Sequence, residues 1–357
     1  MRVIQVLPVL SFGDAVGNDT RALYKVLKKE GYSTAIYAEI IDNRLPKGTA
    51  YPIAEMPKLK KEDVMIYHMS TGHEANYILD KVECRKIIQY HNITPPEYFA
   101  EYNKDAQINC SEGYKATKYF ADKVEYGIAD SGYNKNELIK MGYKCPIDVL
   151  PILIPFEDYE KKPNKNIIRK YSDDGYTNIL FTGRIAPNKK QEDVIDAYYY
   201  YKKFINPKSR LIFVGNYGGM ESYYDRLRGY VKELGLKDVI FTGHIKFDEI
   251  LAYYRIADVF LCMSEHEGFC VPLVEAMYFN IPIIARDTSA ISDTLGGSGI
   301  LLKDNDPVVA AEMINKVVTD KDLRNKVIAN QNERQKDFDN AKIAKQFLGY
   351  IENFINQ

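Results

Sequence analysis

Short apolar runs of strand length alternate with longer helical patterns along almost the whole chain, and this alternation restricts the fold more than any other feature. The runs Arg2–Leu7, Ser33–Ala38, Asp63–Tyr67, Lys86–Tyr90, Tyr126–Ala129 and Ile147–Leu150 read as buried strands. After the first of them a helix is predicted near Asn18–Glu30. Asn18, Asp19 or Thr20 can cap it, Leu23, Val26 and Leu27 give it an apolar face, and Gly31 stops it. Such repetition builds a parallel sheet with helices on both faces. The pattern breaks around Pro151–Asn166, where three prolines and mixed charge leave no periodicity.

It then restarts, with strands expected at Asn178–Thr182, Leu211–Val214, Val239–Thr242, Val259–Cys262, Pro282–Ala285 and Ile300–Leu302. Helices are expected between them, for example Glu192–Phe204 and Met220–Leu234, and a long amphipathic helix at about Asn340–Ile355 has no strand after it. The expected architecture is α/β, with two tandem Rossmann-like, doubly wound domains facing across a cleft. Their expected spans are residues 1–155 and 167–338, with a linker at 156–166 and a terminal helix at 339–357 packing back toward the first domain. Doubly wound sheets bind ligands beyond the carboxyl ends of their strands, so the cleft is the expected site.

Composition narrows the partners. The 357 residues carry 48 basic and 49 acidic side chains, without the basic field of a duplex-gripping protein. Five cysteines, Cys84, Cys110, Cys145, Cys262 and Cys270, are odd in number and lack Cys-x-x-Cys spacing, which suits reduced thiols in a cytoplasm. No run is long enough to span a bilayer. The opening MRVIQVLPVLSF imitates a signal peptide, but Gln5, Pro8 and Asp14 argue for a buried first strand.

The stretch Ser264–Ala276, SEHEGFCVPLVEA, says most about chemistry. Glu267 lies in a loop, Glu275 about one turn into a helix, and Pro272 sits in that helix's first turn. Between the carboxylates, the amides of Gly268, Phe269 and Cys270 stand at a helix N-terminus, which attracts phosphate. A carboxylate can accept two hydrogen bonds from a vicinal diol, so the pair can meet sugar hydroxyls on either side of a diphosphate. A second stretch, FTGRIAPNKKQ, ends a strand at Gly183 and places Arg184 and Lys189 five residues apart. Fixed cations there can neutralise a departing diphosphate, Arg as a planar fork and Lys as a point charge. Lys190 beside them reads as solvated.

With these motifs the sequence resembles glycosyltransferase family 4, retaining enzymes of the GT-B architecture, over essentially the full chain and most strongly from Asn178 to Leu302. The resemblance implies that Glu267 contacts hydroxyls of a donor sugar and Glu275 holds the nucleotide ribose. It also implies that Arg184 and Lys189 take the diphosphate. Turns at Phe213–Gly219 and Phe241–Ile245 line the nucleotide pocket, with the backbone near His244 and Ile245 touching the base. His91, opening HNITPPEYF after a strand, matches a histidine that faces the transferred sugar; His68 is a weaker counterpart. Gly17, in the loop SFGDAVGNDT, is the candidate for close approach to an anion, although the family's Gly-Gly pair is absent. The Gly-x-Gly-x-x-Gly fingerprint of a dehydrogenase is also missing.

The implied activity is transfer of a hexose from a UDP- or GDP-linked donor to a hydroxyl of a glycan or lipid-linked saccharide, in surface polysaccharide synthesis. The expected setting is the cytoplasm, at the inner face of the membrane. No cofactor or metal is expected: the remaining histidines are scattered, and Asp304-Asn305-Asp306 reads as a helix cap before Pro307. The alternatives are a nucleotide-sugar 2-epimerase of the same architecture and a non-catalytic sugar-nucleotide binding protein.

Overall fold

The computed structural model describes Met1–Asn356, without the side chains of Ile78 and Leu79, as two compact units. The first comprises Met1–Ala100, Lys104–Pro155 and the chain from Phe338 onward; the second comprises Glu101–Asn103 and Phe156–Asp337. None of the described helices is long and apolar enough to cross a membrane.

The first unit is built on seven strands: β1 Val3–Leu10, β2 Ile36–Ile41, β3 Tyr51–Pro52, β4 Val64–Met69, β5 Arg85–Tyr90, β6 Tyr126–Ala129 and β7 Ile147–Val149. They form one parallel sheet in the order β3-β2-β1-β4-β5-β6-β7. The opening apolar run is indeed a strand, buried at nearly every position. One sheet face packs Tyr67, Tyr90, Ala116 and Phe120; the other packs Leu23 and Leu27 with Ile343, Phe347, Ile351 and Phe354 of the terminal helix Asn340–Ile355. The first helix, Ala15–Lys29, begins earlier than the sequence suggested, because Asp14 caps it by accepting from the Gly17 amide.

The second unit holds β8 Thr177–Thr182, β9 Ser209–Val214, β10 Val239–Phe241, β11 Val259–Cys262, β12 Ile283–Arg286 and β13 Ile300–Leu302. They form a parallel sheet in the order β10-β9-β8-β11-β12-β13. Two details differ from expectation. The helix expected at Glu192–Phe204 is α-helical over Gln191–Tyr200 and finishes as a π-helical turn, Tyr201–Ile205. The supposed linker contains a short helix, Phe156–Tyr159, whose Tyr159 is buried among Phe156, Tyr278 and Phe279. Aromatic burial gives this proline-flanked segment an order that periodicity could not reveal.

Candidate active site

In the second unit the strand order reverses between β8 and β11. Loops leaving neighbouring parallel strands on opposite courses open a crevice at their carboxyl ends, the usual ligand position in such sheets. Gly183 ends β8 and its amide donates to the Val214 carbonyl at 2.9 Å. Across from it, a Cβ on Gly215 would lie 1.8 Å from the Gly183 carbonyl oxygen, so the two strand ends approach only because Gly215 has none.

Lys189 closes the short turn Pro187–Lys189 after β8. The buried Asn188 ties this turn to the loop after β11. Its carbonyl accepts from the amides of Glu265 at 2.9 Å and His266 at 3.3 Å, and its side-chain amide donates to the His266 carbonyl at 3.0 Å. With both loops fixed, Lys189 Nζ lies 2.5 Å from a carboxylate oxygen of the buried Glu267. Burial is the largest single influence and lowers the ammonium's pKa, but the charge and hydrogen bond of Glu267 together with the nearby cysteines carry the net shift upward, so Lys189 stays protonated. The Glu267 amide donates to Ser289 Oγ at 2.9 Å, which orients the loop from the far side.

Arg184 is exposed and turns the other way, donating to the Gly218 carbonyl in the loop after β9 at 3.0 Å. Lys190 is not simply solvated: it is half-buried, left-handed at φ 49°, with its ammonium 3.4 Å from Glu265. Gly268, Phe269 and Cys270 lead into the helix Val271–Tyr278, with Cys270 left-handed at φ 69°. One turn in, Glu275 accepts from Tyr159 at 2.7 Å on one oxygen and from Tyr254 at 2.5 Å on the other. Burial raises the Glu275 pKa, opposed by these two hydroxyls. His244 and Ile245 follow β10 at the sheet's edge, two strands from β8, where Gly243 lies against the Tyr217 ring. The structure thus brings Lys189 and Glu267 into contact and fixes Glu275, while Arg184 and His244 stand apart.

In the first unit, the ring of His91 is enclosed. Its Nδ1 lies 2.8 Å from Asp130, and its Nε2 lies 2.8 Å from Nδ1 of His68. The Gln5 side-chain amide donates to the Thr20 carbonyl at 3.1 Å, which turns its oxygen toward His68 Nε2 at 2.9 Å. His68 therefore donates through Nε2 and accepts through Nδ1, and His91 must donate to it. Burial is the largest single influence and lowers the His91 pKa, but Asp130, with Asp19 and Asp14, carries the net shift upward, while burial drives His68 well down. The resemblance implies that His91 faces a transferred sugar; within the first unit both its ring nitrogens are engaged, by Asp130 and His68. Gly17 also differs from expectation. It lies within a helix, a Cβ there would sit 2.5 Å from the Ser11 carbonyl oxygen, and its amide donates to Asp14 rather than to an external anion.

Asp306 caps the helix Pro307–Thr319, accepting from the amides of Val308 at 2.8 Å and Val309 at 3.3 Å. Among the described residues, Cys262, Glu267 and Cys270 are instead the group whose ligand atoms gather. Sequence reasoning missed that group, because the cysteines lack Cys-x-x-Cys spacing. It also missed Asn188, Tyr159, Tyr254 and Asp130. Only Asn188 had a local signal, its place beside Lys189; the others arrive from distant elements.

Comparison with known proteins bears on the fold that carries this site. Residues 163–334 match the family described as glycosyl transferases group 1. An uncharacterised glycosyltransferase of Methanocaldococcus jannaschii is 28% identical over 88% of this chain and 85% of its own. O-antigen chain mannosyltransferase B of Escherichia coli is 23% identical over 70% of this chain and 65% of its own. In structure, Anabaena HepE, solved with UDP and glucose, matches with a TM-score of 0.73 at 18% identity, over 99% of both chains. The chain as a whole has the GT-B fold, and its residues 163–334 are matched to the group 1 glycosyltransferases.

Proposed function

We propose that this protein is a retaining glycosyltransferase of family 4, moving a hexose from a UDP- or GDP-linked donor to a hydroxyl of a glycan or lipid-linked saccharide. The observation that carries the reading is the Lys189–Glu267 contact at the point where the strand order reverses, with Glu275 held one turn into the adjoining helix. An ammonium, a carboxylate and a helix N-terminus there suit the three parts of a sugar nucleotide: phosphate, sugar hydroxyls and ribose. The E. coli relative named for O-antigen mannosyl transfer and the Anabaena protein solved with UDP and glucose support the substrate class.

On this reading Glu275 accepts the ribose hydroxyls, Glu267 accepts from the donor sugar, and Lys189 with Arg184 offsets the charge growing on the leaving diphosphate. Gly183, the Gly268–Cys270 amides and the turn at His244–Ile245 line the donor. His91, at the end of β5, is given no contact with substrate; it ties β4, through His68, to the end of β6, through Asp130. Charge neutralisation comes from fixed cations, so no divalent metal takes part. The work is done at the cytoplasmic face of the membrane, on acceptors of a surface polysaccharide pathway.

A thermal-shift panel of nucleoside diphosphates tests the donor class. A ligand at about 100 times its Kd adds roughly 2.7 kcal/mol of stability, and the base giving the largest shift names the donor. Incubating that donor with lipid-linked and soluble acceptors, and determining the new anomeric bond by NMR, tests the rest. Failure of every nucleoside diphosphate to stabilise the chain would end the reading.

A further inference from the structure

Cys262 ends β11, and Cys270 immediately precedes the helix Val271–Tyr278. The loop between them turns back on itself, so that both sulfur atoms and a Glu267 carboxylate oxygen lie within 4.8 Å of one another. All three side chains are buried, with Cys270 and Glu267 keeping 7% and 8% of their surfaces open. Cys262 Sγ also donates to the Ser264 hydroxyl at 3.4 Å. Two thiols and a carboxylate form a soft ligand set, suited to zinc and poorly suited to magnesium, which prefers oxygen ligands in octahedral geometry.

We propose that Cys262, Cys270 and Glu267 form an inhibitory site for a thiophilic divalent cation, with Zn2+ as the ion that fits. Only its effect on rate rests on the function proposed above; the binding does not. Three protein ligands leave a fourth tetrahedral position for water. Zinc–sulfur bonds of about 2.3 Å place tetrahedral ligand atoms roughly 3.5–4 Å apart, so this cluster needs to close by at most about 1.3 Å.

Charge balances in both states. Without the ion, the Glu267 carboxylate faces the Lys189 ammonium beside the two cysteines. With it, two thiolates and one carboxylate are offset by Zn2+ and the same ammonium. The exchange is Zn2+ plus two thiols giving a bis-thiolate complex and two protons released to solvent, without oxidation. A Glu267 oxygen bound to zinc no longer accepts from Lys189 or from a sugar hydroxyl. The ion therefore inhibits by taking up a Glu267 oxygen that the donor sugar needs, while the Lys189 ammonium stays beside the complex.

The test uses the full chain kept reduced with a phosphine. Zinc titration by calorimetry, in buffers of different ionisation heat, is expected to show one saturable site with about two protons released. Cys262→Ser is expected to lose about tenfold or more in affinity while keeping its basal transfer rate, since Cys262 lies outside the donor contacts. In the parent, zinc should lower the rate and EDTA should restore it; in Cys262→Ser the rate should no longer respond. Should that variant not fold, Cys270→Ala is read by binding alone, alongside the thiolate-to-metal absorption of the parent with cadmium. No saturable zinc binding, equal binding in the variants, or a rise in rate with zinc would overturn the proposal. Zinc binding without transferase activity toward any donor would leave the site standing and refute the proposed function instead.

Discussion

The hydroxyl of Tyr254 lies 2.5 Å from a carboxylate oxygen of Glu275 and donates to it. With Tyr159 on the other oxygen, the carboxylate is held in one orientation from two separate helices, Phe156–Tyr159 and Phe247–Ile256. An ionised carboxylate has about four acceptor positions, so two remain for a ribose diol. Glu275→Gln should weaken nucleoside diphosphate binding by roughly 1.5–3 kcal/mol, about ten- to a hundredfold. Tyr254→Phe should cost less affinity but narrow the preference for ribose over 2′-deoxyribose. Calorimetry with both nucleotides reads this, and unchanged affinity in Glu275→Gln would remove the ribose role.

Lys189 and Glu267 should separate in their kinetic effects. Lys189→Ala is expected to lower turnover by about a hundredfold or more, because charge on the leaving group goes uncompensated as it grows. Glu267→Gln should weaken the sugar nucleotide while the nucleoside diphosphate alone still binds. Equal losses for both ligands would contradict that division.

If fixed cations replace a metal, excess EDTA should leave the transfer rate unchanged in freshly reduced protein. Loss of rate that returns only with magnesium or manganese would show that an ion carries the diphosphate.

A stability prediction concerns Asp19, fully buried in the first unit and bonded to the Gln89 side chain and the Leu153 amide, each at 2.9 Å. Burial, with a smaller push from Asp130, raises its pKa from 3.8 to about 7 against the opposing pull of His91 and these bonds. The native state therefore holds this proton more tightly than the unfolded chain. Stability falls as pH rises from about 4 to about 7, and the loss is complete above that window. Asp19→Asn should gain thermal stability over the parent progressively across the same window. A constant difference in Tm between pH 4 and 8 would refute the shift.

Much of this architecture could be read from the sequence, and what could not has a common cause. The strands Tyr126–Ala129, Val259–Cys262 and Ile300–Leu302 and the helix Asn340–Ile355 lie at the residues that apolar runs and periodicity marked. Asp306 caps its helix as the Asp-Pro pair indicated. The two-residue edge strand Tyr51–Pro52 carries no period to detect, and the π-helical turn at Tyr201–Ile205 continues a helical pattern without announcing the change. Glu267, Glu275 and Lys189 stood out through their motifs. Their partners Tyr159 and Tyr254 come from elsewhere in the fold, and single-sequence spacing does not encode that proximity. His91 was conspicuous by position, whereas its ring partners could not be read from spacing: His68 lies in β4 and Asp130 just after β6.

The terminal helix has a consequence for how the protein is made. Ile343, Phe347, Ile351 and Phe354 cover one face of the first unit's sheet, alongside Leu23 and Leu27. The second unit is complete once residue 337 has been synthesised. The first unit, begun earliest, is finished last. Until the terminal helix is made, that face keeps only the cover of the first helix, and a chain interrupted near residue 337 would carry a finished second unit tethered to an unfinished first. Quality control in the cell would therefore meet the amino-terminal half of a stalled product as the exposed, chaperone-binding and protease-sensitive part.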